Sequence, residues 1–435
     1  MNRIKGVAQE KAVLVGVMLD GRKYHDDPLD ELAGLAETAG ARVVGRMTQR
    51  RARPDVTTYL GKGKVDELKA LAAANAADAA LFDNDLSPAQ TRNLEQATGI
   101  KVLDRTEVIL DIFATRAQTV EARLAVELAQ LQYSLPRLKR MWTHLSRLNM
   151  GIGMRGPGEK QLEVDRRLVE KRIRDLREEL DVILRRKERQ VNARHDRMTV
   201  SLVGYTNAGK STLLNQLTGA QVLAVNKLFA TLDTRTRRWI LPGWGPVLLS
   251  DTVGFIRDLP HQLIASFKAT LEEARQADLL LHIADASNPA VLGQITAVYG
   301  VLEELGIELK DTLLVLNKID AADLGQIAGL KSRYPHAIGI SAHTGQGVNE
   351  LAQRVSEALS HGFLDLDVET SVENGRLLAM LSAHGEVLSQ HYVDSRVVVH
   401  CRIPHRAMSH LHDPGTIIRP HAASGNGNPA SNGHS

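Results

Sequence analysis

Apolar positions along this chain repeat with two different periods. Through residues 1–118, short apolar runs at Val13–Val17, Arg42–Val44, Ala79–Phe82 and Lys101–Leu103 alternate with longer amphipathic stretches at Leu29–Ala39, Val65–Ala74 and Pro88–Thr98. Short buried strands alternating with helices predict a small parallel α/β unit. Beyond Thr119 the period changes. Leu124, Leu128, Leu131, Leu135, Leu138, Trp142 and Leu145 step by four and three, and Leu162, Val169, Ile173, Leu176, Leu180 and Ile183 continue the seam. That is the spacing of helices packed nearly side by side. The glycine-rich stretch Asn149–Glu159 between them leaves room only for a reversal, so residues 119–190 are expected to form an antiparallel helical hairpin. Each arm of about thirty residues would be roughly 45 Å long, with Pro136 kinking the first.

Past a polar linker, Gln190–Arg197, the apolar runs Val200–Val203, Val247–Leu249 and Leu313–Leu316 each end in a polar motif. They predict an α/β unit over residues 198–360. Leu366–Thr370 and Arg396–His400 read as strands, and Arg376–His384 as a helix, of a small α/β unit over residues 364–420. Residues 421–435, polar and glycine-rich, are expected to be disordered. The fold class is therefore a multidomain α/β protein.

Charge sharpens the hairpin. The net charge of the chain is only +3, yet Thr119–Met198 carries 19 Lys and Arg against 12 Asp and Glu, so the excess sits on the two helices. Near the reversal, Arg137, Lys139, Arg140, Arg147, Arg155 and Lys160 face only Glu159. For the base of the hairpin, interspersed carboxylates point to an ordinary solvated face. For the tip, unpaired arginine on Gly-Pro-Gly backbone suits RNA, and Arg155, Gly156, Pro157, Gly158 and Lys160 are the expected contacts. The single cysteine, Cys401, excludes a disulfide framework and fits a reducing compartment. It lies among His400, His405, His410 and His412, but without a second cysteine or a ligand spacing these read as exposed histidines rather than a metal centre. The absence of a long apolar stretch or leader pattern argues for a cytoplasmic chain that does not span a membrane, with peripheral association left open.

The chemistry resides in four short motifs. Gly204-Tyr205-Thr206-Asn207-Ala208-Gly209-Lys210-Ser211 follows an apolar strand and opens a predicted helix at Thr212, the context a phosphate-cradling loop requires. Its glycines allow successive N–H groups to face a β-phosphate. Lys210 would lie between the β- and γ-phosphates, and the Ser211 hydroxyl would ligate Mg²⁺. In Asp251-Thr252-Val253-Gly254, the carboxylate would hold a Mg²⁺-bound water and the glycine N–H would meet the γ-phosphate. Asn317-Lys318-Ile319-Asp320, with Ser341-Ala342, points to guanine, because Asp320 can accept from N1–H and the 2-amino group, which adenine lacks. A site built on such a pair rejects the other base by roughly 10⁴ to 10⁵. GTP and GDP are therefore the expected ligands. Lys210, Thr231 and Gly254 are the expected catalytic groups, with Thr234 and Thr236 as neighbouring competitors to Thr231 for the metal. Phe255 follows Gly254 where small signalling GTPases place a water-orienting glutamine, and a phenyl ring cannot replace its hydrogen bonds. Slow intrinsic turnover and activation by a partner are expected. Asn207 is either a K⁺ ligand, as in some similar GTPases, or the cap of its own turn.

Several longer segments carry a resemblance. Asp104–Ala117, Val126–Leu131, Arg155–Arg167, Thr58–Val65 and the phosphate loop together resemble the HflX family of GTPases, over about residues 10–360. The resemblance implies a GTPase that binds the large ribosomal subunit, dissociates stalled or idle ribosomes under stress and is stimulated by the ribosome; a monomer is the expected state. It places the hairpin loop toward the peptidyl-transferase region. Met150, Met154 and Lys160 depart from the usual tip residues. Members have been credited with ATP use through the N-terminal unit; here Gly61-Lys62-Gly63-Lys64 lacks the spacing of a phosphate loop, and RNA contact or a structural turn suits it better.

Overall fold

The computed structural model describes residues 7–20, 27–138, 157–192, 198–220, 228–257, 271–307, 312–360, 363–404, 408 and 415–421, except 230, 233, 243, 244 and 385. The N-terminal unit runs β1 (Lys11–Leu19), α1 (Asp30–Thr38), β2 (Arg42–Arg51), α2 (Lys62–Ala74), β3 (Ala79–Phe82), α3 (Pro88–Thr98) and β4 (Lys101–Asp104). Its strands pair in parallel in the order β2-β1-β3-β4. The central β1 and β3 bury both faces, as helices on either side of a parallel sheet require. Strand β2 outruns the expected Arg42–Val44. Its polar continuation Arg46–Arg51 pairs with Leu14–Leu19, and an edge strand tolerates such residues because one side faces water.

Helix α4 (Arg105–Arg116) starts at the N-cap Asp104, whose carboxylate accepts from Glu107 N at 2.9 Å. Val108, Ile109, Leu110, Ile112 and Phe113 are all buried, so this helix is covered on several sides. Helix α5 (Val120–Ser134), capped by Thr119, has two apolar faces. One places Leu128 against Ile173, Leu176 and Leu180 of the 36-residue α6 (Pro157–Asn192), which is the expected hairpin seam. The other sends Ala122, Val126, Ala129 and Tyr133 into the N-terminal core. At Ser134 helix α5 gives way to a 3₁₀ turn at Leu135–Arg137, where Pro136 interrupts the α-helical ladder.

Arg137 corrects one reading. It does not present itself to RNA: its guanidinium donates to the Leu86 carbonyl at 2.8 Å and to Asp104 at 3.1 Å, and lies 3.6 Å over the Tyr133 ring. It anchors the hairpin to the N-terminal sheet. Arg155 and Gly156 lie outside the described residues, as do Lys139, Arg140 and Arg147, while Pro157, Gly158 and Lys160 lie in the first turn of α6.

The second sheet contains β5 (Thr199–Gly204), β6 (Arg235–Leu241), β7 (Gly245–Asp251), β8 (Leu279–Asp285), β9 (Thr312–Asn317) and β10 (Ile338–Gly339), in the order β10-β9-β8-β5-β7-β6. Only the β6–β7 pair is antiparallel. Helices α7 (Lys210–Thr218), α8 (Val291–Glu304), α9 (Leu324–Arg333) and α10 (Val348–Ser360) accompany it. The last unit packs α11 (Gly375–His384) on an antiparallel sheet of β11 (Phe363–Ser371), β12 (Glu386–Val393), β13 (Arg396–Pro404) and β14 (Ile417–Pro420), in the order β12-β13-β11-β14. Cys401 is buried in this core. His421, placed in the expected tail, instead prolongs the sheet, donating its N–H to the Asp365 carbonyl at 2.9 Å. Residues 422–435, the rest of that tail, lie outside the described residues, as do His405, His410 and His412.

Candidate nucleotide-binding site

Strand β5 delivers the chain into the phosphate loop, and steric fit explains its glycines. A Cβ on Gly204, whose φ is +153°, would stand 2.2 Å from the Ile283 carbonyl oxygen. One on Gly209, at φ +92°, would stand 2.3 Å from Asn317 Nδ2. Real side chains fit neither place, and Gly209 also needs backbone that L residues avoid. Lys210 opens α7 fully within the protein, where its Nζ donates to the carbonyls of Gly204 at 3.0 Å and Tyr205 at 2.9 Å. Burial lowers its pKa to about 8, with Asp251 opposing that shift. A buried ammonium held only by carbonyls is ready for phosphate oxygens at a helix N-terminus.

Beside Lys210 three oxygens converge. Ser211 Oγ donates to Asp251 Oδ2 at 2.6 Å, Thr231 Oγ1 donates to the same oxygen at 3.0 Å, and the two hydroxyls are 2.9 Å apart. Thr234 and Thr236 turn instead to Glu273. Asp251 Oδ1 is buried without a hydrogen bond, and so is Thr206 Oγ1 in the phosphate loop. Orphaned buried acceptors of this kind call for a ligand or ion. Desolvation raises the pKa of Asp251 above the usual carboxylate range, against Lys210 and the two hydroxyls, which lower it. Gly254 is equally constrained: its Cβ would approach Thr206 Cα to 2.9 Å and Lys210 Nζ to 3.0 Å. Thr252 Oγ1 donates to the Leu202 carbonyl at 2.7 Å, and Val253 packs into the core.

Phe255 has a structural role where the glutamine was missed. Its N–H donates to Gly204 O at 3.0 Å, its carbonyl accepts from Thr206 N at 2.7 Å, and its ring is buried in the hydrophobic cluster shared with the N-terminal unit. At the base end, Asn317 Nδ2 donates to Ala208 O at 2.8 Å and Asn317 Oδ1 accepts from Ala342 N at 2.9 Å, tying three motifs together. Lys318, at φ +62°, pairs with Asp285 at 2.7 Å. Asp320 is exposed, and the Ser341 hydroxyl, first among several donors, holds its carboxyl below the ordinary range. Asn207 is exposed at φ +61°, and Thr212 lies half-buried in the first turn of α7.

The sequence did not reveal what lies behind the loop. Tyr205 OH donates to Glu31 Oε1 at 2.6 Å and accepts from Arg257 N at 2.6 Å. Glu31 pairs with Arg105 at 2.9 Å, and Asp83 pairs with both Arg105 at 2.7 Å and Arg257 at 2.8 Å. These residues come from α1, α4 and the loops after β3, β5 and β7. Burial and the neighbouring Glu31 carboxylate push the Tyr205 phenol well above its usual pKa. A cavity of about 560 Å³ opens in front of this seam, between Glu31, Gly34 and Thr38 of α1 and Tyr205, Thr206 and Asn207. The N-terminal unit therefore touches the phosphate loop directly.

A mostly parallel sheet whose central strand feeds a lysine into a helix N-terminus, with its base-reading motif fastened to that loop, is the working domain of a GTPase. Residues 199–318 match the family described as 50S ribosome-binding GTPase, residues 26–114 the GTP-binding GTPase N-terminal family, and residues 116–194 the GTP-binding GTPase middle region. The GTPase HflX of Lacrimispora saccharolytica is 46% identical over 407 residues, covering 93% of this chain and 96% of the relative. That of Escherichia coli is 46% identical over 374 residues, covering 85% and 88%. The chain belongs to the HflX family of GTPases. Among solved structures, a GTP-binding protein from Sulfolobus solfataricus in complex with GDP aligns at 25% identity and a TM-score of 0.44, covering 81% of this chain and 99% of that one. No described helix is long and apolar enough to cross a membrane.

Proposed function

We propose that this GTPase binds the large ribosomal subunit in its GTP state, dissociates stalled or idle ribosomes, and is stimulated by the ribosome to hydrolyse GTP. The observation that carries the nucleotide half is the meeting of Ser211, Thr231 and Asp251 beside Lys210. Backbone N–H groups of residues 204–212 cradle the phosphates, Lys210 leaves its two carbonyl partners for phosphate oxygens, and Gly254 N–H faces the γ-phosphate. Ser211 and Thr231 fit as ligands of Mg²⁺, with the orphaned Asp251 Oδ1 accepting from a water on it; when bound, the ion neutralises charge building on the β- and γ-phosphate oxygens. Asp320 accepts from guanine, and Asn317, Lys318, Ser341 and Ala342 hold that loop in place.

Loss of the γ-phosphate releases Thr231 and the Asp251–Phe255 segment from their common partner, and Phe255 carries that change to the N-terminal unit and hairpin. The partner half rests on the basic hairpin and on the family described as 50S ribosome-binding GTPase. Arg155, Gly156, Pro157, Gly158 and Lys160 contact ribosomal RNA in this reading. Because Phe255 cannot orient a water, the ribosome supplies that ordering. GTP hydrolysis is measured with and without large subunits, beside an Arg155→Glu, Lys160→Glu double variant. Stimulation of about 10³-fold that the variant loses supports the reading; equal rates with and without subunits refute the ribosomal half.

A further inference from the structure

The C-terminal sheet carries a cluster that the GTPase reading leaves unused. Strand β11 lies between β13 and β14, and its residues Asp365 and Asp367 share one face. His400 on β13 stands directly opposite Asp367, while His421 stands opposite Asp365. Each histidine reaches past its opposite aspartate to the diagonal one. His400 Nε2 is 2.6 Å from Asp365 Oδ1, and His421 Nδ1 is 2.9 Å from both oxygens of Asp367. The crossed side chains bring the two imidazoles into a stack, with centroids 3.5 Å apart and planes at 14°. Ligand atoms of Asp367, His400 and His421 all lie within 4.8 Å of one another.

We propose that Asp367, His400 and His421 form a binding site for a divalent transition cation of the zinc type. Two imidazole nitrogens and one carboxylate oxygen are a donor set for a borderline-soft ion, with water completing the shell. Hard cations such as Mg²⁺ prefer oxygen alone. Asp365 completes the design: by holding Nε2 of His400 it fixes the ring and leaves Nδ1 as the donor. The three ligand residues are half-buried, so the ion enters from solvent into partly dry surroundings. Cys401, between His400 and Arg402, points into the opposite core, so it contributes no ligand. The cation takes the place of the His421–Asp367 hydrogen bond and ties β14, the last described strand, to the middle of the sheet.

The full-length protein without an affinity tag, stripped by a chelator and returned to buffer with GDP and Mg²⁺, is titrated with Zn²⁺ alone by calorimetry. Co²⁺ serves as a second probe through its visible absorption. The proposal expects one tight site per chain and a loss of affinity of at least about 30-fold in both His421→Gln and Asp367→Asn. Asp365→Asn, which touches no ligand position, should weaken Zn²⁺ by roughly 10- to 100-fold. Retained GDP binding and an unchanged circular dichroism spectrum show that each variant is folded. Zn²⁺ affinity unchanged in His421→Gln and Asp367→Asn, or no tight site in the parent protein, overturns it.

Discussion

Two glycine–lysine turns open helices in this chain, and they differ in what surrounds them. At Gly209-Lys210, neighbouring motifs press so closely that a Cβ has no room, and the lysine is buried against carbonyls. At Gly61-Lys62-Gly63-Lys64, Gly63 has open space around its missing Cβ, Gly61 keeps an ordinary φ of −69°, and Lys64 pairs with Glu67 on its own helix at 2.7 Å. Gly61 N donates to the Gln49 side chain at 2.9 Å, so even its backbone donor is committed. A phosphate cradle needs a buried cation and a polar group left without a partner, and of these two turns only the first has them, in Lys210 and Thr206 Oγ1. The second is a helix start on a sheet edge, which weakens the case for ATP at that place.

The largest effect that would test this contrast is loss of base recognition. Asp320→Ala removes two charge-assisted hydrogen bonds, each worth about 1.5–3 kcal/mol, so GTP affinity should fall by roughly 10² to 10⁴ while ATP affinity stays where it was. Competition binding with a fluorescent GDP measures both. Gly209→Ala should likewise cost at least about 10² in nucleotide affinity, since either the loop or Asn317 must move. If it binds GDP normally, the steric account of the loop is wrong.

At the seam behind the loop, Tyr205→Phe deletes one hydroxyl that serves both Glu31 and Arg257 N. A loss of about 1–3 kcal/mol in urea unfolding is expected, the cost of unsatisfied buried partners. A protein of unchanged stability would mean that the seam is not formed in solution. A smaller effect should come from pH. Phosphates favour charged Lys210, whose pKa without nucleotide is lowered to about 8, so binding takes up protons above that pH. GDP affinity should drop about fourfold from pH 7 to pH 8.5, and a flat profile would contradict the burial of Lys210. Smallest of all, Gly63→Ala should leave GDP binding unchanged and raise stability by about 0.4–1 kcal/mol, because it lies inside α2 with nothing to strike.

Much of this was legible in the residues because it is local. The phosphate loop announces itself through glycines whose neighbours are strand and helix, and the hairpin seam through a 3.5-residue period that the packing of Leu128, Ile173, Leu176 and Leu180 then satisfies. Arg137 was misread for the converse reason. Its sequence neighbours are basic, but its partners Leu86 and Asp104 are 51 and 33 residues away. The end of β2 was missed because polar residues on an edge strand carry no apolar alternation.

What the sequence by itself determined is the set of local geometries: which segments are strands and helices, where the chain must turn tightly, and which base the nucleotide site can read. Only the tertiary structure decided which charges meet. Glu31 and Tyr205 are 174 residues apart, and Asp367 and His421 are 54. No periodicity links such positions, since their contact depends on how separate sheets pack and which strand lies beside which. Burial then makes those contacts matter, because a carboxylate or guanidinium taken out of water must find its partner across the fold or not be buried at all.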